Sequence, residues 1–463
     1  MLTAVFELLY NVSRKLPQVE QPKRILSSKE KLMWTVAILL VYFLLYNVTA
    51  LGVKESVGLA DVFQVLTASR QGSLLALGIG PIVMAGIFIQ LFSGGGLLNL
   101  DPHNPETQKK ILGAQATLAI VIAVLEAVIF TLGYANNGQF ALTPTMPVIL
   151  FVVLQLALGA IAVIYMDQIV TKYGIGSGIG LFIAAGVSYG IILGVGYTLF
   201  GDAGIVSAVA DGGIEGLSNA FIQFLPFIST AIVFWFVVYG ESAKVKMPLS
   251  IPGAHKPLEL PFFYVSNLPV IFAAALLINV LLISQSLIST PLTESGPSWQ
   301  HYLGGILFMM TPVYAGFNIP QYINDMANGV TPILGLPQWL HAITYVITLT
   351  LLSVYFGKFW VEMSPQQNPK ELAEILSQQN IAIRGHRSDK RFIEKKLEQY
   401  IWPLTVAGSL GVGLLAGVAN LMGAYGTGTG ILLTVGILFR MVEELKQTLS
   451  VHYPNIAKLL FGG

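Results

Sequence analysis

Ten long apolar stretches constrain the fold of this chain more than any other feature of its sequence. A helix needs about 20 mainly apolar residues to cross the hydrocarbon core of a membrane. Because lipid offers no hydrogen bonds to the backbone, such stretches form helices. The sequence therefore predicts an all-α polytopic membrane protein with ten spans: Met33–Leu51, Leu74–Phe92, Ile111–Leu132, Met146–Met166, Ile179–Phe200, Phe221–Tyr239, Leu268–Ser289, Leu340–Trp360, Ile401–Met422 and Gly426–Met441.

The composition supports the same class of protein and excludes several others. Hydrophobic residues make up 54% of the 463 residues and charged residues only 11%, whereas a soluble domain carries about 25% charged residues. The absence of cysteine excludes disulfides, thiolate metal sites and cysteine nucleophiles. The sequence contains no P-loop, zinc-protease or nucleophile-elbow motif. We therefore expect neither an enzyme nor a cofactor or metal site.

The distribution of cations predicts the orientation of the spans. If the N-terminus is cytoplasmic, all of the 25 lysines and arginines except Lys54 and Arg70 fall on the cytoplasmic side, in agreement with the positive-inside rule. A further run, Tyr302–Phe317, is apolar but broken by Pro312 and glycines, which favours a re-entrant or external half-helix over an eleventh span. We therefore expect a multi-pass protein of the cell membrane with both termini in the cytoplasm.

Two pairs of similar segments indicate an internal repeat. Pro81–Gly86 in the second span resembles Pro269–Ala274 in the seventh, and Gly174–Leu181 at the fifth span resembles Gly426–Leu432 at the tenth. Each pair is separated by five spans, an odd number, so its members run through the membrane in opposite directions. This is the pattern of an inverted-topology repeat.

The repeat predicts two inverted five-helix halves that form a clamshell around a central pore. The N-terminal half, residues 1–212, would contain an amphipathic N-terminus and spans one to five. The C-terminal half, residues 213–463, would contain spans six to ten and two basic cytoplasmic loops, 240–261 and 361–400. A secondary transporter fits such a repeat as well as a protein channel does.

Ionisable groups, which mark the substrate or ion path of many transporters, are scarce in the middle of the spans. Glu126 is the clearest, and the uncharged Gln90, Asn279 and Gln285 are the next candidates. A narrow apolar ring can instead block ions by dewetting. The two loops, with their lysines and arginines, suit either a polyanion such as RNA or anionic lipid.

Several longer segments resemble the signature sequences of the SecY family, the large subunit of the Sec protein-conducting channel, and the basic loops are most similar to archaeal members. The similar segments occur in order along the chain: Ser73–Phe92, Asp167–Leu181, Tyr264–Pro269, Gly385–Arg387 and Gly428–Leu433.

The resemblance implies four functional sites. A pore ring would consist of Ile79, Val83, Ile179, Ile183, Ile271 and Leu433. A plug would consist of Asp61, Val62, Phe63, Gln64, Val65, Leu66, Thr67 and Ala68. A lateral gate would include Glu126, Asn279 and Met84, where some relatives have threonine. Ribosome-binding residues would be Lys244, Lys246, Arg384 and Arg387.

The resemblance also implies a function and partners. The chain would translocate secretory polypeptides and release membrane segments sideways into lipid. Its partners would be a SecE-like subunit, a Secβ-like subunit, the ribosome, signal sequences and nascent polypeptides, and membrane lipids. Two alternatives make different predictions: a secondary transporter would lose function when Glu126 is neutralised, and a membrane receptor or scaffold would depend on its loops rather than on its pore.

Overall fold

Helices form nearly all of the regular structure, as the apolar sequence requires. The computed structural model describes residues 2–17, 19–24, 26–54, 68–94, 105–136, 138–201, 204–247, 249–250, 258–265, 268–288, 299–313, 319–331, 334–364, 367–378, 382–383 and 390–452. The chain folds into two compact units, Met1–Val187 with Ile437–Gly463 and Ser188–Gly436.

The first unit contains the helices that correspond to the first four predicted spans and the start of the fifth. Its helices are α1 (Leu2–Ser13), α2 (Ser28–Asn47), α3 (Gly80–Gly94), α4 (Pro105–Asn136), α5 (Met146–Tyr173) and the start of α6 (Gly178–Phe200). A capping box starts α2: the Ser27 hydroxyl accepts the Glu30 backbone N–H, and the Glu30 carboxylate accepts that of Ser27. Helix α4 packs against α1, α3 and α5.

The second unit contains the remaining helices and four short strands. They are α7 (Ile205–Asp211), α8 (Gly213–Ile222), α9 (Leu225–Ser242), β1 (Lys244–Met247), β2 (Leu249–Ser250), β3 (Leu258–Pro261), α10 (Leu268–Ile288), α11 (Trp299–Phe308), α12 (Ile319–Asn328), α13 (Gln338–Met363), α14 (Pro369–Gln378), β4 (Ala382–Ile383), α15 (Lys390–Leu421) and α16 (Gly428–His452). The last helix ends in the first unit.

Each of the ten predicted spans overlaps a helix. Among the described residues, seven helices are long and apolar enough to cross a membrane. The other three predicted spans coincide with α10 and with two shorter apolar helices, Gly80–Ile89 and Gly428–Val442. The predicted half-helix at Tyr302–Phe317 overlaps α11, whose ten residues reach only about 15 Å along the helix axis.

The second span begins later than its apolar run suggests. The run starts at Leu74, but a series of turns occupies the chain up to Gly80, and Gly78 has a left-handed φ of 53°. Helix α3 begins only where Pro81 occupies its first turn, a position that suits proline. A side chain at Gly159 of α5 would meet the Leu74 carbonyl, so this glycine lets the turns lie directly on α5.

Glycines also bring α13 and α15 into close contact. A Cβ atom at Gly413 would lie 2.9 Å from the Cα of Thr350, and one at Gly417 would lie 3.2 Å from Val346. The same seam continues at Gly357, where a Cβ would lie 2.1 Å from the Ser409 hydroxyl. Small residues at such contacts let helices approach closely where lipid supplies no hydrophobic driving force.

The two predicted basic loops fold together into one module, which we call the loop module. It consists of 244–265 and 361–404 in their described parts. Strand β1 pairs antiparallel with β3, and β2 pairs with β4, so that Leu249 lies opposite Ile383. A shared apolar core packs β1 and β3 against the helices α13, α14 and α15: Met247, Leu260, Val361, Ala373, Leu376, Ile393, Leu397 and Ile401.

We expect Gly413→Ala to lower the stability of the protein, because the new methyl group meets the Thr350 backbone. Overpacking of this kind costs about 1–3 kcal/mol. Gly411→Ala is the matched control on the same helix, since a Cβ there has only one neighbour, at 4.0 Å. The free energy of unfolding of the two variants in detergent checks the prediction, and equal stabilities would contradict it.

Candidate functional site

The start of α6 carries two of the predicted pore-ring residues, Ile179 and Ile183, and is fixed onto α5. Gly176 has a φ of 71°, which turns the chain back into the new helix. The Ile179 backbone N–H then donates to the Asp167 carboxylate of α5 at 2.8 Å. A Cβ at Gly178 would lie 2.5 Å from the Asp167 Cα, so only glycine fits this contact without a shift.

The start of α16 is fixed onto α15 in a similar way. Gly426 has a φ of 73°, and the Gly428 backbone N–H donates to the Asn420 side-chain oxygen at 2.7 Å. A Cβ at Gly428 would meet the backbone of Ala416, with its carbonyl oxygen 2.4 Å away. In both places a side-chain oxygen from the preceding helix satisfies a backbone N–H that has no partner within its own helix.

Asn420 also connects this helix start to α13. Its side-chain amide donates to the Tyr345 hydroxyl at 2.7 Å. Both side chains are only 1% exposed, so each hydrogen bond lies where water cannot replace it. The Asn420 side chain therefore joins three helices of the second unit at one point.

The two helix starts define the register of the repeat. The sequence comparison aligns Gly174 with Gly426. In the structure, however, Gly426 corresponds to Gly176, because both glycines have a positive φ at the turn before the helix. With this register Ile183 and Leu433 both become the sixth residue of their helix. Both are buried, at 7% and 6% exposure.

The remaining pore-ring residues lie at a third helix start and in α10. Ile79 is 1% exposed, and its carbonyl accepts the backbone N–H of Val83 at 3.1 Å. Val83 and Ile271 are half-buried, as is Ile179. Ile79, Val83, Ile179 and Ile183 belong to the first unit, and Ile271 and Leu433 to the second. The ring itself stays a prediction.

The predicted plug lies outside the described residues apart from its last position. Ala68 is fully buried and has a left-handed φ of 49°, which is uncommon for a residue other than glycine. Its carbonyl accepts the Tyr42 hydroxyl at 2.7 Å. Gly186 of α6 lies against it, since a Cβ there would be 3.4 Å from the Ala68 Cα. The end of the predicted plug is thus anchored to two helices.

The predicted gate residues lie on three different helices. Glu126 is half-buried in α4, and its carboxylate has no hydrogen bond or ion pair with the residues that the structure describes. Met84 in α3 is 43% exposed. Asn279 belongs to α10, but its side chain lies outside the described part of the chain.

The loop module presents two of the predicted ribosome-binding lysines. Strand β1 alternates between exposed and buried positions, so Lys244 and Lys246 point away from the core that holds Met247. Lys244 Nζ lies 3.5 Å from the Glu259 carboxylate, and both side chains are about half exposed. Arg384 and Arg387 lie outside the described residues, directly after β4.

One buried tyrosine fixes the base of the loop module. The Tyr264 hydroxyl donates to the Gln367 carbonyl at 2.9 Å. Burial raises the pKa of Tyr264 above its usual value, so the hydroxyl keeps its proton and its role as donor. Within the described ranges, no group of three or more histidine, aspartate or glutamate side chains is arranged to hold a metal ion.

Sequence reasoning missed four of the residues that hold these sites: Tyr42, Asp167, Tyr345 and Asn420. Asp167 precedes the turn at Gly176 by nine positions and Asn420 precedes the turn at Gly426 by six, so a polar residue at the end of the preceding helix was the available signal. Tyr42 and Tyr345 contact residues 26 and 75 positions away. Nothing local in the sequence indicates those contacts.

Comparison with known proteins gives one consistent family. A family model described as SecY matches residues 73–442. The protein translocase subunit SecY of Methanocaldococcus jannaschii is 40% identical over 98% of this chain and 99% of its own length. The protein translocase subunit SecY of Pyrococcus furiosus is 36% identical over 98% of both chains.

Solved structures of similar sequence have a similar fold. A structure described as a protein-conducting channel has a TM-score of 0.73 and 38% identity, and the similarity spans 96% of this chain and 99% of that one. Sec61 in a canine ribosome-channel complex from the endoplasmic reticulum has a TM-score of 0.70 and 38% identity, over 96% of this chain and 99% of that one.

We expect Asn420→Ala to destabilise the protein, because it leaves the Gly428 N–H and the Tyr345 hydroxyl buried without partners. Each such group costs about 1–3 kcal/mol. Tyr345→Phe removes only one of the two bonds and should cost less. Because the two residues share a bond, the double variant should lose less stability than the sum of the single variants, as measured by unfolding in detergent. Additive losses would contradict the network.

Proposed function

This chain belongs to the SecY family, and we propose from its structure how it conducts proteins. It is a multi-pass membrane protein that translocates secretory polypeptides across the membrane and releases membrane segments into lipid. The observation that carries the proposal is the pair of glycine-rich helix starts, α6 and α16. Each holds a buried aliphatic side chain, Ile183 or Leu433, at the same position of its helix.

An apolar ring explains how such a channel remains closed to ions. The predicted ring residues are all aliphatic and are buried or half-buried: Ile79, Val83, Ile179, Ile183, Ile271 and Leu433. A narrow constriction lined by such side chains dewets and blocks ions without a polar filter. The same side chains can change rotamer around a polypeptide of any sequence, because they make no specific hydrogen bonds with it.

The energy for translocation comes from outside the chain. An elongating ribosome or another motor pushes the polypeptide, and the channel itself makes and breaks no covalent bond. A signal sequence or membrane segment leaves sideways because transfer of its apolar surface from water to lipid is favourable. The channel therefore provides the path and the seal, and the motor provides the energy.

The plug, Asp61–Ala68, would close the outer side of this path at rest. Its last residue is held by the Tyr42 hydroxyl and lies against Gly186, on the helix that also carries Ile183. A displacement of the plug would therefore act on the start of α6 through Ala68. This contact supports a link between the plug and the ring.

The lateral gate would consist of Glu126, Asn279 and Met84. The carboxylate of Glu126 has no partner among the described residues, so an interhelical hydrogen bond of about 1 kcal/mol remains available to it. Met84 replaces the threonine of some relatives and cannot donate such a bond. We expect the gate here to depend on fewer polar contacts.

The loop module would bind the ribosome through Lys244, Lys246, Arg384 and Arg387. The support is the exposure of the two lysines on β1 and the similarity to Sec61, which was solved in a ribosome-channel complex. A SecE-like and a Secβ-like subunit would complete the complex in the membrane. The placement of both termini in the cytoplasm follows from the distribution of lysine and arginine.

A secondary transporter is the less favoured alternative. Such proteins place polar or ionisable side chains around a substrate at the middle of the membrane. Here the paired helix starts present aliphatic residues, Ile183 and Leu433, and Glu126 is the clearest ionisable group in the spans. The similarity to protein translocase subunits over 98% of the chain also favours the channel.

Single cysteines test the pore ring directly, because the chain contains none of its own. A stalled translocating polypeptide that carries one cysteine should form disulfides with Ile79→Cys, Ile183→Cys, Ile271→Cys and Leu433→Cys. The matched control is Ile192→Cys on the same helix, α6, where the side chain is 69% exposed. Adducts at position 192 but not at the ring positions would overturn the assignment.

Polar replacements test the seal independently of translocation. We expect Ile183→Ser and Leu433→Ser to raise the resting ion conductance several-fold, because a wetted constriction no longer excludes ions. Ile192→Ser should leave the conductance unchanged. Planar-bilayer recording of the reconstituted protein provides the measurement, and an equally ion-tight double variant would contradict an apolar seal.

A further inference from the structure

Two short helices, α1 and α8, lie at the start of the two predicted halves. Helix α1 (Leu2–Ser13) comes before α2, and α8 (Gly213–Ile222) comes directly before α9. Each has three exposed apolar side chains at the same spacing of three and four residues. We call them the α1 stripe, Val5, Leu8 and Val12, and the α8 stripe, Ile214, Leu217 and Phe221.

One face of α1 is fixed to the protein. Phe6 is 4% exposed and packs with Ala114 of α4. A Cβ at Gly113 would lie 2.6 Å from the Ser13 hydroxyl, so the helices touch closely. Glu7 and Lys110 form an ion pair at 3.3 Å. This face therefore already has its partner within the chain.

The α1 stripe lies on a different face of the helix. Val5, Leu8 and Val12 are 50%, 62% and 40% exposed. Residues three, four and seven positions apart share one side of a helix, so the three side chains form a continuous apolar surface. Leu112 of α4 is 66% exposed, and it adjoins the contact at Gly113. Helix α1 thus packs on a helix that itself exposes an apolar side chain next to the contact.

Cations lie beside the α1 stripe without acidic partners of their own in α1. Arg14 and Lys15 follow the helix and are exposed, as is Lys109 at the start of α4. Glu7, the one acidic residue of α1, is paired with Lys110. The chain directly after the stripe is therefore positively charged.

We propose that α1 is an interfacial helix that binds the surface of an anionic membrane. The α1 stripe inserts into the boundary between acyl chains and headgroups, while Arg14, Lys15 and Lys109 contact anionic headgroups. A helix of this kind binds through its buried apolar area and through attraction to anionic lipid. This proposal concerns the membrane surface and does not depend on how polypeptides are conducted.

Helix α8 provides an internal comparison. Its stripe is 90%, 67% and 79% exposed and continues at Phe224 and Ile228 toward α9. No lysine or arginine occurs between Lys172 and Lys244, so α8 has no nearby cation in the sequence. Its insertion into lipid should depend on apolar area alone and should not respond to anionic lipid.

The test uses the full-length chain with one cysteine at a time, labelled with an environment-sensitive fluorophore. Leu8→Cys reports on the α1 stripe and Leu217→Cys on the α8 stripe. Asn11→Cys reports on the exposed polar edge of α1, about 90° around the helix from the middle of the stripe. Each protein is reconstituted in vesicles of phosphatidylcholine, or of phosphatidylcholine with an equal part of phosphatidylglycerol. Nitroxide-labelled lipids quench any fluorophore that enters the bilayer.

We expect lipid quenching at position 8 to be several-fold stronger in anionic vesicles than in neutral ones. Arg14→Gln with Lys15→Gln should remove that difference. Position 217 should be quenched equally in both kinds of vesicle, and position 11 should be quenched less than position 8 in the anionic vesicles. A label at position 8 that remains in water, that is shielded without lipid quenching, or that ignores anionic lipid would overturn the proposal. Translocation assays on the same proteins test the channel separately.

Discussion

Backbone N–H groups at the start of a membrane helix need partners, because lipid provides none. The positions of the buried aliphatic residues in this protein depend on how that need is met. At α6 the partner is the Asp167 carboxylate, and at α16 it is the Asn420 side-chain oxygen. In each case a glycine brings the backbone against the preceding helix. Ile183 and Leu433 are therefore placed by the contacts that their helix starts make with the preceding helix.

The two starts use different chemistry for the same geometric purpose. Asp167 offers only acceptors when ionised, whereas the Asn420 amide accepts from Gly428 and donates to Tyr345. The second start is thus linked to α13 as well as α15, whose glycines already hold the two helices close together. The sequence comparison paired the two segments, but two residues away from the register that the φ values at Gly176 and Gly426 give.

The spans and their helical structure could be predicted from the length of the apolar stretches, because a backbone in lipid must satisfy its own hydrogen bonds. The start of α3 did not, since a hydropathy pattern cannot distinguish a helix from the apolar turns at Leu74–Ile79. The register of the predicted repeat could be assigned only from the backbone φ angles at Gly176 and Gly426, which the sequence does not give. The strands of the loop module were also missed, because β2 and β4 are two residues long and pair across a large separation in sequence. The division at residue 212 and the ring, plug and gate assignments stay predictions.

The pairing of β2 with β4 has a mechanical consequence. One strand belongs to the connection between α9 and α10, and the other to the connection between α13 and α15. A pull on either connection is shared by both through the strand pair. A force applied to either connection therefore reaches the ends of α9, α10, α13 and α15 together. A large partner bound to the loop module would act on all four helices rather than on a single loop.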